Sequence, residues 1–194
     1  MDFLTEQALL DRGFARIAGI DEAGRGPLAG PVAAAAVILD PRHIPAGIND
    51  SKKLSEKKRE ALYKELMDCA QCSCVLIDQT VIDEINILEA TKRAMREAAS
   101  PLDPDFLLID GNFVIGQIKN EQCIVGGDAR VLSIGAASII AKVTRDRFMK
   151  ELDERYPVYG FAKHKGYGTR EHIEAIRQYG PCPYHRRSFL TRIL

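Results

Sequence analysis

The chain has 194 residues, 46% of them hydrophobic, which allows one domain with a real core comfortably and two domains only with strain. Its 27 acidic and 27 basic residues cancel, so the overall charge favours no particular class of partner. From residue 160 to the C-terminus, however, seven Lys or Arg stand against two Glu, and this basic end either faces phosphates or is merely solvated.

Strand-like and helical patterns alternate along the chain. Strands are predicted at residues 16–21, 32–39, 72–78 and 106–110, with further short apolar segments at 114–118 and 123–125. Helices are predicted at residues 55–70, 81–99 and about 132–155. Residues 157–169 are predicted as a loop, and a final helical region follows Arg170. This order indicates an α/β fold over residues 1–194, with one central sheet flanked by helices.

Two adjacent carboxylates, Asp21 and Glu22, end the first predicted strand and precede a glycine-rich turn, in the sequence GIDEAGRGPLAGP at residues 19–31. Carboxylates held side by side repel each other unless they are well solvated or bind a cation. The glycines that follow allow the backbone to approach a ligand closely. The segment is therefore either a solvated surface turn or part of a metal site.

Two further acids suggest the metal site. Asp110 ends the strand at 106–110, and Asp128 follows a glycine pair just before the long helix. Four carboxylates without His or Cys are hard oxygen ligands, which favour Mg²⁺ or Mn²⁺ over zinc. Because neighbouring strand residues point to opposite faces, Asp21 and Glu22 can share a metal only if the chain leaves strand geometry at Glu22. We expect a turn beginning at Ala23 to allow this.

A nucleotide-binding loop and a zinc site are the two alternatives. A nucleotide-binding loop would need GxxxxGK[ST] or a GxGxxG that opens a helix, whereas these glycines are followed by a strand. A zinc site is an alternative because Cys69, Cys72 and Cys74 cluster and Cys182 lies near His185, but the spacing of a zinc ribbon or finger is absent. We favour free thiols.

The cellular setting is predicted from the cysteines and from hydropathy. Five cysteines and an N-terminus without a basic-then-apolar leader predict a reducing, cytoplasmic location. No apolar run approaches the roughly 20 residues of a membrane span, so we expect no membrane contact. The oligomeric state is expected to be a monomer.

Seven motifs together resemble bacterial ribonuclease HII, the type 2 ribonuclease H family. Besides residues 19–31, they are DSKKL at 50–54, LLIDGN at 107–112, GDA at 127–129, AASIIAKVTRDR at 136–147, HKGYGT at 164–169 and HRRSF at 185–189. The resemblance implies a ribonuclease H-like central mixed sheet with a C-terminal helical substrate-binding region from about residue 156. It also implies an endonuclease that cuts the RNA strand of RNA/DNA hybrids and cuts 5' of single ribonucleotides in duplex DNA, leaving 3'-hydroxyl and 5'-phosphate ends.

The resemblance assigns the acidic quartet to Asp21, Glu22, Asp110 and Asp128, as catalytic residues and ligands of two divalent ions, Mg²⁺ or Mn²⁺. Asp21 is expected to bridge the ions, with Glu22 and Asp110 on one and Asp128 on the other. Two ions about 4 Å apart activate water and neutralise charge on the phosphate and the leaving oxygen. Another metal-dependent nuclease of the recombinase type, or a phosphatase, on a related sheet is the alternative.

The resemblance also assigns ribose recognition to Gly24, Arg25, Gly26 and Tyr167, and places Lys52 near the substrate phosphates. This assignment suits the chemistry, because RNA differs from DNA in a 2'-hydroxyl that backbone groups and a tyrosine can read.

Further expectations concern contacts with the substrate phosphates. Arg186 and Arg187 are expected to hold the duplex through its phosphates, with a steep dependence on salt. Gly126 stands where the family is expected to carry Lys, which puts a phosphate contact there in doubt. Three histidines, His164, His172 and His185, are either structural or in contact with phosphate.

Overall fold

The computed structural model describes residues 1–191 and 193 and contains a five-stranded sheet between helices. The strands are β1 (Ile17–Ala23), β2 (Val32–Ile38), β3 (Gln71–Ile77), β4 (Phe106–Asp110) and β5 (Glu121–Ile124). They lie in the order β3-β2-β1-β4-β5. β1 pairs antiparallel with β2 and parallel with β4, so the sheet is mixed. The predicted α/β fold with a central mixed sheet is confirmed.

The helices lie on both faces of the sheet and in the C-terminal region. They are α1 (Leu4–Asp11), α2 (Glu56–Cys69), α3 (Gln79–Ala99), α4 (Leu132–Arg155), α5 (Phe161–His164), α6 (Arg170–Tyr179) and α7 (Arg187–Leu190). None of the helices in the described part of the chain is long and apolar enough to span a bilayer.

Four parts of the predicted secondary structure need correction. The short helix α1 was not predicted, since it buries only Glu6 and Leu9 and so has little periodic pattern. α3 is interrupted at Asn86, where φ is +67° and the side-chain oxygen accepts N–H bonds from the next turn. Residues 114–118 form a loop rather than a strand, because the Glu121 carboxylate accepts four of its backbone N–H groups. The predicted loop at 157–169 contains a 3₁₀ turn and α5.

Strand β2 shows why the sheet is covered on both faces. Ala33, Ala35 and Val37 pack in one cluster with residues of α2 and α4, whereas Ala34 and Ala36 pack in another with residues of α3. Successive strand residues alternate between faces, so a strand of small apolar residues with no polar face must lie between two layers of helices.

The start of α4 lies unusually close to β1. A Cβ on Gly19 would be 2.2 Å from the backbone carbon of Ser133, so only glycine permits this approach. The contact brings the segment before α4, including Asp128, towards the end of β1.

The C-terminal region packs against the far end of α4 and against the segment between β1 and β2. Its apolar cluster includes Met149 from α4, Ala29 from that segment, and Tyr159, Phe161 and Ile176. Residue Ala29 also pairs with His185 in an isolated β-bridge. The glycine-rich segment is therefore held between α4 and the C-terminal region.

Candidate active site

Asp21, Asp110 and Asp128 converge at one end of the sheet. Each offers a carboxylate oxygen, and the three oxygens lie within 4.8 Å of one another. Asp21 and Asp110 come from the parallel neighbours β1 and β4, and Asp128 lies in the 3₁₀ turn before α4. Residues two apart on a strand share a face, and Leu108 packs with Ile134 of α4, so Asp110 also faces α4. These three residues form the acidic triad.

Glu22 occupies a different position from the triad. It follows Ile20 on the face of the sheet that packs against α3, and it is not a member of the group of three. The strand continues through Ala23, since Glu22 pairs with Ala34 and Ala23 with Ala33. The expected turn at Ala23 was therefore wrong, because the turn begins only after that residue.

Glu22 is nevertheless coupled electrostatically to the triad. Burial raises the pKa of its carboxyl group, the Arg25 guanidinium opposes this shift, and the charge of Asp110 adds to it. Its Oε1 lies 3.4 Å from an Arg25 nitrogen. Glu22 thus borders the triad from the adjacent face.

The triad carries unbalanced negative charge. Burial raises the pKa of Asp21 well above its usual value, and the charges of Glu22 and Asp110 raise it further. Burial and the charge of Asp128 likewise raise the pKa of Asp110, although the Gly127 N–H donates to it at 2.7 Å. A divalent cation would remove this repulsion, and three carboxylates are the hard oxygen donors that Mg²⁺ and Mn²⁺ prefer. The residues present therefore fit such an ion.

Cysteine and histidine do not form a comparable group. Within residues 1–191 and 193, the acidic triad is the one group of three or more ligating side chains close enough to hold a metal. All five cysteines are free thiols. The structure gives the zinc alternative no ligand set among these residues.

Lys52 lies beside the triad in the loop between β2 and α2. Its Nζ is 3.4 Å from Asp128 Oδ2, while most of its side chain is exposed. Partial burial lowers the pKa of the ammonium group, but the charges of Asp128 and Asp21 outweigh this effect and leave the pKa above its ordinary value. Lys52 therefore stays charged and can reach a phosphate next to the triad.

A cavity of about 450 Å³ adjoins the triad. Six predicted site residues line it, namely Glu22, Gly24, Arg25, Gly26, Lys52 and Tyr167. Three residues that sequence reasoning missed also line it, namely Arg59, Lys142 and Arg145. Lys142 pairs with Asp146 at 2.6 Å, and Arg59 donates to the Ser51 carbonyl at 2.9 Å. The spacing of Ser138, Lys142 and Arg145, at i, i+4 and i+7 on α4, was the signal that would have revealed this wall.

The predicted ribose-recognition residues meet at this cavity. The ring of Tyr167 lies against Gly26, since a Cβ on Gly26 would be 3.6 Å from Tyr167 Cε1. The Tyr167 residue is 47% exposed, so its ring and hydroxyl are available to a ligand. Gly24 has φ of +93°, and a Cβ there would be 2.0 Å from Arg145 Nε, so a side chain at this position is excluded.

Arg186 lies beneath residues 24–31, the glycine loop, and not at the surface. It is fully buried, and its guanidinium donates to the carbonyls of Gly24 at 2.6 Å, Arg25 at 2.9 Å, Gly30 at 2.9 Å and Pro31 at 3.1 Å. The expectation that Arg186 contacts phosphate was wrong, because its donors are committed to the protein backbone. A count of charges cannot separate such a residue from its exposed neighbour Arg187.

Arg145 of α4 reinforces the same loop. It is buried and donates to the carbonyls of Ala29 at 3.1 Å, Pro31 at 2.9 Å and Lys165 at 3.0 Å. Burial lowers the pKa of Arg145 to about 10 and that of Arg186 to about 9, so both remain charged near neutral pH. Sequence reasoning missed both arginines as supports of the loop.

Arg186 also fixes the direction of the loop amides. Because the peptide unit is planar and trans, the Gly24 and Arg25 carbonyls that point to Arg186 force the N–H groups of Arg25 and Gly26 to point away from it. Neither of these N–H groups donates a hydrogen bond to the described residues. The loop thus offers two consecutive free donors beside the Tyr167 ring.

The remaining predicted positions do not line the cavity. His164, His172 and His185 are buried, so the structural interpretation holds and contact with phosphate does not. Gly126 is exposed with φ of +66°, and the position carries no basic side chain.

Comparison with known proteins gives a consistent result. Residues 18–192 match the family model described as Ribonuclease HII. The chain is 57% identical over 193 residues to a ribonuclease HII of Acetivibrio thermocellus, covering 97% of this chain and 75% of the relative. It is 51% identical over 195 residues to that of Caldicellulosiruptor bescii, covering 99% of this chain and 95% of the relative.

A solved structure agrees in fold. The structure of the PCNA:RNase HII complex from Archaeoglobus fulgidus contains a chain that superposes with a TM-score of 0.79 at 27% identity. The match covers 89% of this chain and 94% of that chain.

Proposed function

Since the chain belongs to the ribonuclease HII family and is a ribonuclease H-type hydrolase of RNA/DNA hybrids, we propose that it also cuts 5' of single ribonucleotides embedded in duplex DNA. The products would carry 3'-hydroxyl and 5'-phosphate ends. The observation that supports this proposal is that the cavity with the two free backbone N–H donors and the half-exposed tyrosine lies next to the acidic triad, since Lys52 both lines the cavity and pairs with Asp128.

The metal ligands in this proposal are the triad and Glu22. Asp21, Asp110 and Asp128 would hold a divalent ion, Mg²⁺ or Mn²⁺, and Glu22 would complete the set from the adjacent face. We propose two ions that share Asp21. Ions bound there supply charge neutralisation at the phosphate and lower the pKa of a bound water.

The glycine loop and Tyr167 would select the ribonucleotide. The Arg25 and Gly26 N–H groups can donate to a 2'-hydroxyl, and the Tyr167 ring can pack on the sugar beside it. Deoxyribose offers no such acceptor, so the two donors would stay unpaired in a desolvated site, which is costly. Selection in this scheme needs one ribose only, which suits an isolated ribonucleotide.

Cations on the cavity wall would hold the phosphates. Lys52 beside Asp128 and Lys142 on α4 both line the cavity, and Arg25 is exposed at its edge. Because phosphate contacts release counterions, affinity for the duplex should fall steeply with added salt.

The test is cleavage of three labelled duplexes that differ only in sugar. One carries a single ribonucleotide, one is an RNA/DNA hybrid, and one is all DNA. We expect cleavage of the first two with Mg²⁺ or Mn²⁺, none after EDTA, and none of the all-DNA control. Cleavage of the hybrid alone would refute ribonucleotide excision, restoration by Zn²⁺ alone would refute the oxygen-ligand site, and release of terminal phosphate would support a phosphatase instead.

A further inference from the structure

A buried cluster of histidines lies directly behind Tyr167. His172 and His185 are almost wholly buried, and the ring of His164 stacks on that of His172 with centroids 4.5 Å apart. Phe161 and Tyr159 pack around them. The hydrogen bonds within this cluster assign a protonated nitrogen to each ring.

The assignment begins at His185. The Cys182 backbone N–H donates to His185 Nδ1 at 2.9 Å, so in the neutral ring this nitrogen carries no proton. The same Nδ1 is 3.3 Å from the Cys182 oxygen and 3.1 Å from its sulfur, but the amide is a donor only and decides the tautomer. The proton of His185 therefore lies on Nε2.

The series of hydrogen bonds continues through His172. His185 Nε2 is 3.0 Å from His172 Nε2 and donates to it, which leaves the proton of His172 on Nδ1. That Nδ1 is 2.9 Å from the carbonyl oxygen of Tyr167 and donates to it. The hydrogen bonds thus run in one direction, from Cys182 through two imidazoles to Tyr167.

His164 has the opposite tautomer to His172. The Gly166 N–H donates to His164 Nδ1 at 3.2 Å, so Nε2 carries the proton and donates to the Tyr159 carbonyl at 2.7 Å. Burial lowers the pKa of His172 and of His185 to about 4, so both rings are neutral around pH 7. His172 and His185 therefore form a directed pair of neutral rings.

We propose that His172 and His185 are positioning residues for ribose recognition, whose directed hydrogen bonds fix the Tyr167 backbone and so the angle of its ring against Gly26. This inference rests on the proposed role of Tyr167. The Tyr167 carbonyl also accepts the Thr169 N–H at 2.8 Å, so loss of the histidine donor should displace the ring without unfolding the loop. Apolar side chains at positions 172 and 185 would fill the same space, but only hydrogen-bonded side chains with every donor and acceptor paired specify one orientation of the Tyr167 backbone.

Because the hydrogen bonds run in one direction, the conservative amide substitution differs between the two positions: it is Asn at 172 and Gln at 185. At 172 the donor is Nδ1, which an Asn amide can imitate, so His172→Asn should keep selectivity and His172→Phe should lose it. At 185 the donor is Nε2, which only the longer Gln amide reaches, so His185→Gln should keep selectivity and His185→Asn should lose it. Rates are measured under single-turnover conditions on the lone-ribonucleotide duplex and on the hybrid.

We expect His172→Phe to slow cleavage at the lone ribonucleotide about tenfold more than cleavage of the hybrid. In the Tyr167→Ala background the same change should have no further effect on this ratio, because the two residues act through one contact. Equal losses on both substrates, or additive losses in the double variant, would overturn the proposal.

A spectroscopic test is independent of activity and of whether the His172→Phe variant folds. Nitrogen NMR of ¹⁵N-histidine-labelled wild-type protein should show Nε2–H tautomers for His164 and His185 and an Nδ1–H tautomer for His172. Any other tautomer at His172 or His185 refutes the directed series of hydrogen bonds from Cys182 to Tyr167. If the wild type does not cut at lone ribonucleotides, the proposed function fails, whereas the NMR result still decides whether the hydrogen-bond chain exists.

Discussion

Replacing Arg186 should damage both the stability and the selectivity of the protein, and the structure gives the magnitude. Arg186→Ala leaves the carbonyls of Gly24, Arg25, Gly30 and Pro31 without this donor in a buried site. At about 1 kcal/mol for each lost bond, the gross cost is about 4 kcal/mol. Removing a buried charge that has no carboxylate partner returns part of this. We expect a net loss of about 2 to 3 kcal/mol in the free energy of unfolding.

The activity loss should exceed what unfolding explains. With Arg186 absent, the Arg25 and Gly26 amides are no longer held outward, so cleavage at a lone ribonucleotide should fall even at a temperature where the variant is folded. Arg186→Lys should resemble Arg186→Ala, because one ammonium with three donors cannot serve carbonyls that a planar guanidinium serves. The measurements are urea unfolding and single-turnover cleavage at 25 °C.

The matched control is Arg187→Ala, since Arg187 is exposed. Its unfolding free energy should stay within about 0.5 kcal/mol of wild type. If Arg187 contacts a phosphate, the slope of log affinity against log salt should decrease by about 1. A supporting role of Arg186 beneath the loop is refuted if Arg186→Ala is as stable and as selective as wild type, or if it changes only the salt slope.

Four further outcomes are expected. Asp21→Asn should abolish cleavage and the thermal shift caused by Mg²⁺ while leaving the metal-free protein at least as stable, because it removes repulsion from the triad; residual wild-type cleavage would contradict the site. Gly26→Ala should fold normally but lose ribonucleotide cleavage, whereas Gly24→Ala should be destabilised by its clash with Arg145; equal melting temperatures would contradict this. Tyr167→Ala should slow cleavage at a lone ribonucleotide roughly ten- to a hundredfold and cleavage of a hybrid less, with Tyr167→Phe as the variant that keeps the ring. Finally, unfolded histidines bind protons below about pH 6.5 but buried His172 and His185 only below about pH 4, so the stability that each ring contributes should be fully present above pH 6.5 and fall by up to about 3 kcal/mol towards pH 4. Because the raised pKa values of Asp21 and Asp110 act in the opposite direction, the measurement is the difference in urea unfolding free energy between wild type and His172→Asn, and a difference that stays constant with pH would refute the prediction for His172.

The acidic site was predictable because the position of its residues at the ends of strands can be read from the sequence. Asp21 and Asp110 each come at the end of an apolar run, and such runs become neighbouring parallel strands that end at one edge of a sheet. Strand alternation also warned that Asp21 and Glu22 face different sides, and the continuation of β1 through Ala23 is why Glu22 borders the triad from outside.

The supports of the site were not predictable in the same way. Arg186 and Arg187 are adjacent and chemically identical, yet one is buried under the glycine loop and the other is exposed. The burial of Arg186 depends on contacts about 160 residues away in sequence, such as that with Gly24. Asn86 shows the same limit locally, because its left-handed conformation interrupts an otherwise regular helical pattern.

The choice of arginine under the loop follows from what the loop must present. A ribose detector made of backbone needs N–H groups facing the sugar, and planarity then turns the attached carbonyls inward, where water cannot reach them. Asparagine or glutamine would bring two donors together with an acceptor that itself needs a partner, whereas arginine brings five donors and no acceptor. Arg145 and Arg186 together donate six hydrogen bonds to the carbonyls of residues 24–31, and Arg145 donates a seventh to the Lys165 carbonyl. The cost of burying Arg186 without an acidic partner is therefore a consequence of holding two consecutive amide donors outward. Gly24 in turn leaves room for the Arg145 guanidinium that supports the same segment.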